Sequence, residues 1–277
     1  MKRKAGIWFS GIGFLWMIPY IFTIVMNGID TAILNRSPDV EDYLPIALSV
    51  QIPEDYKLEA IEAQAVIART NLYRRLQEKE KITEILGEWA EDLKENPGWW
   101  KIPDSVYEKA AEETEGKILT VGGELKLVPY HEISSGQTRD GATAFHDEEY
   151  SYLKSVDSSI DKESPSYLNS TYISVQQMPS QLNIEEREES GYVVSLTADD
   201  NLLEGESFAQ GMGLSSSDFT IQKIGEEIRF LCRGRGHGVG FSQYGGNALA
   251  REGSTWEEIL EIYFPAMEQS DYIELGI

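Results

Sequence analysis

The sequence predicts an α+β fold: a single domain with one long N-terminal helix, a mainly antiparallel sheet region and a C-terminal helix, preceded by one transmembrane helix. Three observations indicate this arrangement. Apolar residues recur at helical spacing from Lys57 to Glu78, short β-prone runs dominate after Gly116, and residues 5–28 contain no charged side chain. We therefore expect four segments, which are a basic segment 1–4, a transmembrane helix 5–28, a tether 29–40 and a folded domain 41–277.

The uncharged run at the N-terminus has the length of a membrane span. A hydrocarbon core about 30 Å thick needs roughly 20 apolar residues in a helix, and residues 5–28 satisfy that requirement. Lys2, Arg3 and Lys4 favour an N-terminus in the cytoplasm, with the domain on the outer face of the cell membrane. The alternative is a cleaved signal peptide, but such apolar regions run about 7 to 15 residues, and no small-x-small site follows Met26.

The charge of the chain excludes one class of partner. The sequence has 47 Asp and Glu against 24 Lys and Arg, a net charge of −23. Nucleic acid is therefore not an expected partner. The single cysteine, Cys232, forms no intrachain disulfide, so a hydrophobic core must hold the domain together.

The elements of the domain follow from periodicity, β-propensity and caps. Ser254 and Glu257 form a capping-box pattern for the last helix, which Pro265 ends. The predicted helices are Lys57–Glu78, 81–95, 104–115 and Thr255–Tyr263. The predicted strands are Lys117–Val121, Glu124–His131, Thr171–Gln176, Tyr192–Leu196, Phe219–Ile224 and Glu226–Cys232.

Residues 234–246 are the most unusual stretch, with six glycines in thirteen positions. So many glycines indicate a tight turn or a backbone wrapped closely around something. The spacing fits neither a dinucleotide-binding loop nor a P-loop, and Ser242 lacks the second glycine of a hydrolase elbow. The residues alone leave a polar, glycine-lined site with His237, and a histidine in such a loop is as often structural as functional.

Four segments, in order, resemble the stage II sporulation protein D and amidase-enhancer family. Residues 234–245, Gly-Arg-Gly-His-Gly-Val-Gly-Phe-Ser-Gln-Tyr-Gly, look like the C-terminal signature of that family. Residues 59–70 are similar to its long helix, 134–138 (Ser-Ser-Gly-Gln-Thr) to its serine-glycine turn, and 213–219 to a third segment. The resemblance implies a membrane-anchored lytic transglycosylase that cuts peptidoglycan glycan strands lacking stem peptides during engulfment.

One departure from the family concerns catalysis. The catalytic glutamate of the family lies in a Glu-Met/Ile-Pro segment ahead of the long helix, and here that segment reads Gln51-Ile52-Pro53. An amide cannot cycle a proton, so we expect Gln51 to bind glycan with weak or no cleavage. Glu54 and Glu59 are the nearby carboxylates that could substitute for it. Glu62 and Ala209 also stand where the family usually has lysine and arginine.

The resemblance implies further site residues and partners. Arg69 is expected to orient the site, with a buried structural salt bridge as the alternative. The residues expected to line the substrate groove are Arg69, His131, Ser134, Ser135, Thr138, His237, Ser242, Gln243 and Tyr244. The expected partners are glycan strands, the membrane, and other sporulation membrane proteins or wall hydrolases that the chain could recruit as a scaffold.

No cofactor and no metal are expected. Some relatives carry zinc near the serine-glycine turn through cysteine and histidine, but here that region offers His131 and Glu132 without a cysteine. The pair Trp99 and Trp100 is assigned to loop packing rather than to sugar stacking.

Overall fold

The computed structural model describes residues 40–95 and 105–273. The chain divides into two compact units at Tyr43 and Leu44. In the first unit, the described residues form the short 3-10 helix Val40–Tyr43. All other described elements belong to the second unit. The expected segments 1–4 and 5–28, nearly all of the tether 29–40, and the pair Trp99 and Trp100 lie outside the described residues.

The second unit is an α+β domain, as the sequence predicts. Its described part contains eight α-helices, among them four that sequence patterns did not predict, at residues 44–51, 141–145, 205–211 and 243–252. None of the described helices combines the length and the apolar character needed to cross a membrane. The helices are α1 (Leu44–Gln51), α2 (Leu58–Gln77), α3 (Ile82–Glu95), α4 (Ser105–Glu113), α5 (Gly141–Phe145), α6 (Gly205–Gly211), α7 (Gln243–Glu252) and α8 (Trp256–Tyr263).

The strands form four small sheets with the orders β1-β10, β2-β9, β3-β8-β7 and β4-β5-β6. All pairings are antiparallel except that of β2 with β9, which is parallel. The strands are β1 (Lys117–Thr120), β2 (Tyr130–His131), β3 (Leu168–Ser174), β4 (Leu182–Arg187), β5 (Val193–Ala198), β6 (Asn201–Glu204), β7 (Phe219–Ile224), β8 (Glu227–Arg233), β9 (Phe241–Ser242) and β10 (Glu268–Asp271).

The long helix α2 lies at the centre of the helical part. Its predicted bounds are confirmed to within one residue, but every side chain from 60 to 70 is buried, including Glu62 and Arg69. Apolar residues at helical spacing also predict a charged face on the opposite side of the helix, and that prediction is wrong for this stretch. Helices α1 and α4 pack on one side of α2, while β1, α7 and α8 pack on the other, so the helix has no solvent face there.

Two other sequence predictions need correction. The predicted strand Glu124–His131 is reduced to β2, because Val121 and Glu124 close a tight turn and the following residues have no ladder partner among the described strands. The capping box of α8 is formed by Thr255 and Glu258, one residue later than predicted. Both candidate pairs satisfy the same sequence pattern, and packing selects the register.

Three hydrophobic clusters hold the domain together. One joins α2 to β1, β9, α7 and α8, and the second joins α1, α2 and α4. The third lies between β5, α6, β7 and β8 and includes Cys232, which is a free, buried thiol. The glycine-rich segment runs between the first and third clusters, so its conformation determines how the helical and sheet parts meet.

Candidate functional site

The glycine-rich segment wraps around the protein's own backbone. Gly234, Gly236, Gly238 and Gly240 have φ values of 74°, 99°, 77° and 76°, a region that favours glycine. A Cβ on Gly240 would lie 2.2 Å from the carbonyl oxygen of Pro129, and one on Gly238 would lie 2.2 Å from the Tyr192 hydroxyl. These glycines therefore allow close packing inside the domain. The segment continues directly into β9 and α7.

A buried carboxylate joins the serine-glycine turn to the glycine-rich segment. Asp161 accepts hydrogen bonds at Oδ2 from the Ser134 backbone N–H (2.8 Å) and the Ser158 hydroxyl (3.0 Å). Its Oδ1 accepts one from the Ser242 hydroxyl at 3.0 Å. Burial raises the pKa of the Asp161 carboxyl, and the hydrogen bonds from Ser134, Ser242 and Ser158 oppose that rise. Asp161 thus holds two segments of the family pattern together.

The predicted hydroxyls of the turn are enclosed rather than presented to a groove. Ser134 and Thr138 are fully buried, and Ser135 is 9 % exposed. The Ser135 hydroxyl donates to the Ser190 carbonyl oxygen at 3.0 Å, and Thr138 Oγ1 accepts from the Val156 N–H at 2.9 Å. Ser242 is likewise fully buried. Because these groups bond within the domain, the geometry does not support the expectation that they contact a sugar.

Arg69 also stands apart from any groove. Its side chain is fully buried. Its guanidinium donates to the Thr114 hydroxyl (3.2 Å) and to the carbonyl oxygens of Lys117 (3.1 Å) and Ala111 (3.0 Å). These contacts tie α2 to the end of α4 and the start of β1. These contacts fit a structural role for Arg69 better than an orienting role in ligand binding, although these acceptors are uncharged and not the carboxylate of the expected salt bridge.

Three glutamine side chains meet where α1 ends. Gln64 Nε2 donates to Gln51 Oε1 at 2.9 Å, and Gln243 Nε2 donates to Gln64 Oε1 at 3.1 Å. Gln243 Nε2 also donates to the backbone oxygen of Gln51 at 2.6 Å. Gln64 and Gln243 are buried, whereas Gln51 is half-buried. The chain of amides brings the position of the family glutamate against both the long helix and the glycine-rich segment.

Two tyrosines and a glutamate lie close to one another, and one of them, Tyr244, directly follows Gln243 of the amide chain. The Tyr244 N–H donates to the Glu132 carbonyl oxygen at 3.0 Å, next to the parallel pairing of β2 with β9. Burial raises the pKa of Tyr56, and the charges of Asp55 and Glu132 and the Tyr244 side chain add to that rise. The Glu132 side chain is 61 % exposed and its carboxylate lies 3.3 Å from Arg235. Gln51, Tyr56, Tyr244 and Glu132 form the candidate site.

The two predicted histidines lie behind the candidate site. His131 is 4 % exposed, and its Nδ1 lies 3.1 Å from the Val239 carbonyl oxygen. Burial, together with His237, lowers the pKa of His131 to about 3. His237 Nδ1 accepts from the Val239 N–H at 3.1 Å, and burial lowers its pKa. The ring centroids are 5.8 Å apart, and each ring contacts the Val239 backbone within the glycine-rich segment.

The donor set near His131 does not fit the zinc site of some relatives. The side chain of Glu132 pairs with Arg235, and Cys232 is buried in the cluster between the sheets. Among the described residues, no three His, Cys, Asp or Glu side chains lie together in a geometry that could hold a metal ion. Tetrahedral zinc requires three or four such ligands, so no chemical step is assigned to a metal here.

Sequence reasoning missed three residues that this geometry brings forward. Gln64 is an amide on a helix face otherwise rich in alanine and isoleucine, and that contrast was a usable signal. Asp161 gave no signal, because its partners lie 27 and 81 residues away. Glu132 was considered for zinc alone, since its approach to Tyr244 depends on the parallel pairing of β2 with β9.

The long helix and the glycine-rich segment meet at one amide cluster, and comparison with known proteins gives similarities in the same segments. The family model described as "Stage II sporulation protein" matches residues 30–121, which include Gln51 and Gln64. The stage II sporulation protein D of Bacillus subtilis is 29% identical over 84% of this chain and 74% of its own length. That of Bacillus amyloliquefaciens is 28% identical over the same shares. The amidase enhancer of Bacillus subtilis is 35% identical over 21% of this chain and 8% of its own length. The chain is therefore similar to stage II sporulation protein D over 84% of its length.

Proposed function

We propose that this protein binds glycan strands of peptidoglycan during sporulation and cuts them slowly or not at all. The names of the two long relatives support a role in sporulation. The resemblance of the Gln51-Ile52-Pro53 segment places glutamine where a lytic transglycosylase of the family has its catalytic glutamate. The candidate site of Gln51, Tyr56, Tyr244 and Glu132 offers aromatic and polar groups suited to a sugar.

The chemistry of glycan cleavage explains the expected loss of activity. Cleavage of a glycosidic bond needs a proton on the leaving oxygen, and a lytic enzyme then needs a base that draws a sugar hydroxyl onto the anomeric carbon. One carboxyl group can do both, whereas an amide does neither at ordinary pH. The observation that carries the proposal is the position of Gln51, whose Oε1 is engaged by Gln64 at 2.9 Å.

If the protein does cut glycan, a carboxylate near Gln51 must transfer the proton in its place. Glu54 is exposed in the turn after α1, and Glu59 lies in the first turn of α2. Glu132 is exposed beside Tyr244 and Tyr56 and belongs to a different segment of the chain. It is the carboxylate to test first, because it flanks the candidate site without belonging to the α1–α2 connection.

The decisive experiment compares the full chain in detergent with its Gln51→Glu variant on stem-peptide-free glycan strands. We expect Gln51→Glu to release anhydro-muramic products at least about 10²-fold faster, because it restores a group that can donate and accept the proton. Products are separated by mass. Glu132→Gln in the native background tests the enzyme alternative in the same assay.

Two outcomes would count against the binding proposal. Cleavage by the native chain that is lost in Glu132→Gln would assign catalysis to Glu132. No association of the native chain with sedimented glycan strands would remove the binding function altogether.

A scaffold that recruits a wall hydrolase is a second candidate function. The observation that favours it is the short match to an amidase enhancer. Co-purification of the full chain with a wall amidase after glycan has been digested would support this function. Release of the amidase by that digestion would contradict it.

Membrane anchoring through residues 5–28, with the domain on the outer face, completes the proposal. The uncharged run and the basic residues before it support this topology. Protease added to intact protoplasts should degrade the domain, and protection of the domain would overturn the topology.

A further inference from the structure

The orientation of the Gln51 amide is fixed by a backbone carbonyl. Gln243 Nε2 lies 2.6 Å from the backbone oxygen of Gln51, and a carbonyl oxygen only accepts hydrogen bonds. The atom of Gln243 at that position must therefore be its nitrogen. The same nitrogen lies 3.1 Å from Gln64, so the Gln64 atom facing it must be the oxygen.

The constraint passes along the chain to Gln51. With its oxygen towards Gln243, Gln64 presents its nitrogen to Gln51, at 2.9 Å from Oε1. The Gln51 oxygen therefore points into the domain, and the Gln51 Nε2 group is the part left for a ligand. Within the described residues, that nitrogen makes no hydrogen bond. A half-buried amide held in this way presents its N–H donors first to a ligand.

We propose that Gln51 is a hydrogen-bond donor that reads an uncharged carbonyl oxygen on the ligand, the acetamido group of an N-acetylated sugar. The inference rests on the proposed function, because it describes how the same site selects its glycan. Glutamate at position 51 would present an acceptor instead, so the substitution reverses the polarity of the site as well as removing a proton carrier.

The surrounding charges favour a neutral acceptor over a carboxylate. Glu54 and Asp55 are exposed next to Gln51, and the Glu132 side chain is 61 % exposed. Arg235 lies 3.3 Å from the Glu132 carboxylate and is therefore already paired. A ligand carboxylate would meet this acidic surface at a cost, whereas an amide carbonyl accepts the Gln51 hydrogen bond without added repulsion.

The test uses two neutral oligosaccharides that differ in the acetamido group. Binding of the β-1,4-linked N-acetylglucosamine hexamer and of the glucose hexamer with the same linkage is measured by calorimetry with the full chain in detergent. We expect Gln51→Leu to weaken binding of the N-acetylated hexamer roughly 3- to 10-fold and to leave the glucose hexamer unchanged. Gln77→Leu, exposed at the far end of α2, is the matched control.

A second variant tests the relay without touching Gln51. In Gln64→Met, position 64 keeps a similar size but has no N–H donor, so the Gln51 amide is no longer held with its oxygen inward and its nitrogen towards the ligand. We expect the preference for the N-acetylated hexamer to disappear while circular dichroism shows an intact fold. A preference that survives in a folded Gln64→Met variant would overturn the relay.

The outcomes separate this inference from the proposed function. If the native chain binds glycan strands but Gln51→Leu weakens both hexamers equally or neither, the donor role is wrong and glycan binding stands. Weakening confined to strands that contain muramic acid would identify a carboxylate acceptor and overturn the neutral one. If the native chain binds neither strands nor hexamers, the proposed function itself fails.

Discussion

Asp161 shows how one residue can fix the shape of a site without touching a ligand. Its carboxylate accepts hydrogen bonds from Ser134, Ser158 and Ser242, which belong to three separate segments. The sequence identified Ser134 and Ser242 through a family resemblance, but it assigned them to sugar binding. The structure instead shows both residues bonded to Asp161. A serine in a sequence pattern does not reveal whether it faces a ligand or a buried carboxylate.

We expect Asp161→Asn to lower the free energy of unfolding by about 2 to 3 kcal/mol. The asparagine amide has an NH2 group in place of one carboxylate oxygen. In one orientation this NH2 group faces the donors of Ser134 and Ser158, and in the other it faces the Ser242 hydroxyl. In either case at least one buried group loses its hydrogen-bond partner. Urea denaturation measures the change. Asp200→Asn, at an exposed turn, is the control, and an equal effect of the two substitutions would refute the anchoring role of Asp161.

At the scale of elements, hydrophobic periodicity located α2 well and missed α1 and α7. Helix α1 has eight residues and includes a proline, too short for a clear pattern. Helix α7 starts within the glycine-rich segment, where Gly245 and Gly246 argue against a helix. A Cβ on Gly245 would lie 2.1 Å from the Tyr263 hydroxyl, so this glycine is selected by the packing of α7 against α8. Propensity alone cannot reveal such a contact.

The contact between α2 and α4 predicts a pH dependence of stability. Burial of Glu62 and its interaction with Glu113 raise the pKa of Glu62 to about 8 from a usual value of 4.5. The folded protein therefore keeps a proton that the unfolded chain releases. Stability from this group is complete below pH 4.5 and is lost as the pH rises towards 8.

We expect Glu62→Gln to remove most of this loss, because the amide can stay hydrogen-bonded to Glu113 without a proton to release. The gain in the free energy of unfolding at pH 8 should be on the order of 1 kcal/mol or more. Thermal melting between pH 5 and pH 8 provides the measurement. Glu112→Gln, exposed on α4, should keep the native pH dependence, and an unaltered slope in Glu62→Gln would disprove the shared proton.

At the scale of the whole molecule, a buried ion pair joins the turn and the glycine-rich segment to the sheet part. Arg139 Nη2 lies 2.6 Å from Glu188, and the two side chains are 7 % and 5 % exposed. The same guanidinium donates to Glu206 at 3.1 Å and to the His237 carbonyl oxygen at 3.0 Å. The sequence predicted one α+β domain, and its composition predicted a negative net charge. It did not predict that Arg139 and Glu188, which lie 49 residues apart, form an ion pair, because that contact depends on the fold.

Arg139→Met should therefore destabilise the domain strongly, by about 3 to 5 kcal/mol, because it leaves Glu188 buried without its partner. The double variant Arg139→Met, Glu188→Leu should recover part of the loss. Lys81→Met, which removes an exposed ion pair with Glu84, should change stability by less than about 1 kcal/mol. Denaturant midpoints compare all three, and a loss in Arg139→Met no larger than in Lys81→Met would contradict the buried-pair argument.

The amide chain also has a consequence for biosynthesis. Gln243 follows Gln64 by 179 residues, so at about 5 to 20 residues per second the ribosome adds it roughly 9 to 36 seconds later. Throughout that interval, the nascent helices α1 and α2 lack Gln243, the donor that orients Gln64 and, through Gln64, the Gln51 amide. A chain interrupted before α7 would carry the long helix without the complete amide chain, so, if the proposed glycan binding holds, a truncated product should not compete with the complete protein for glycan.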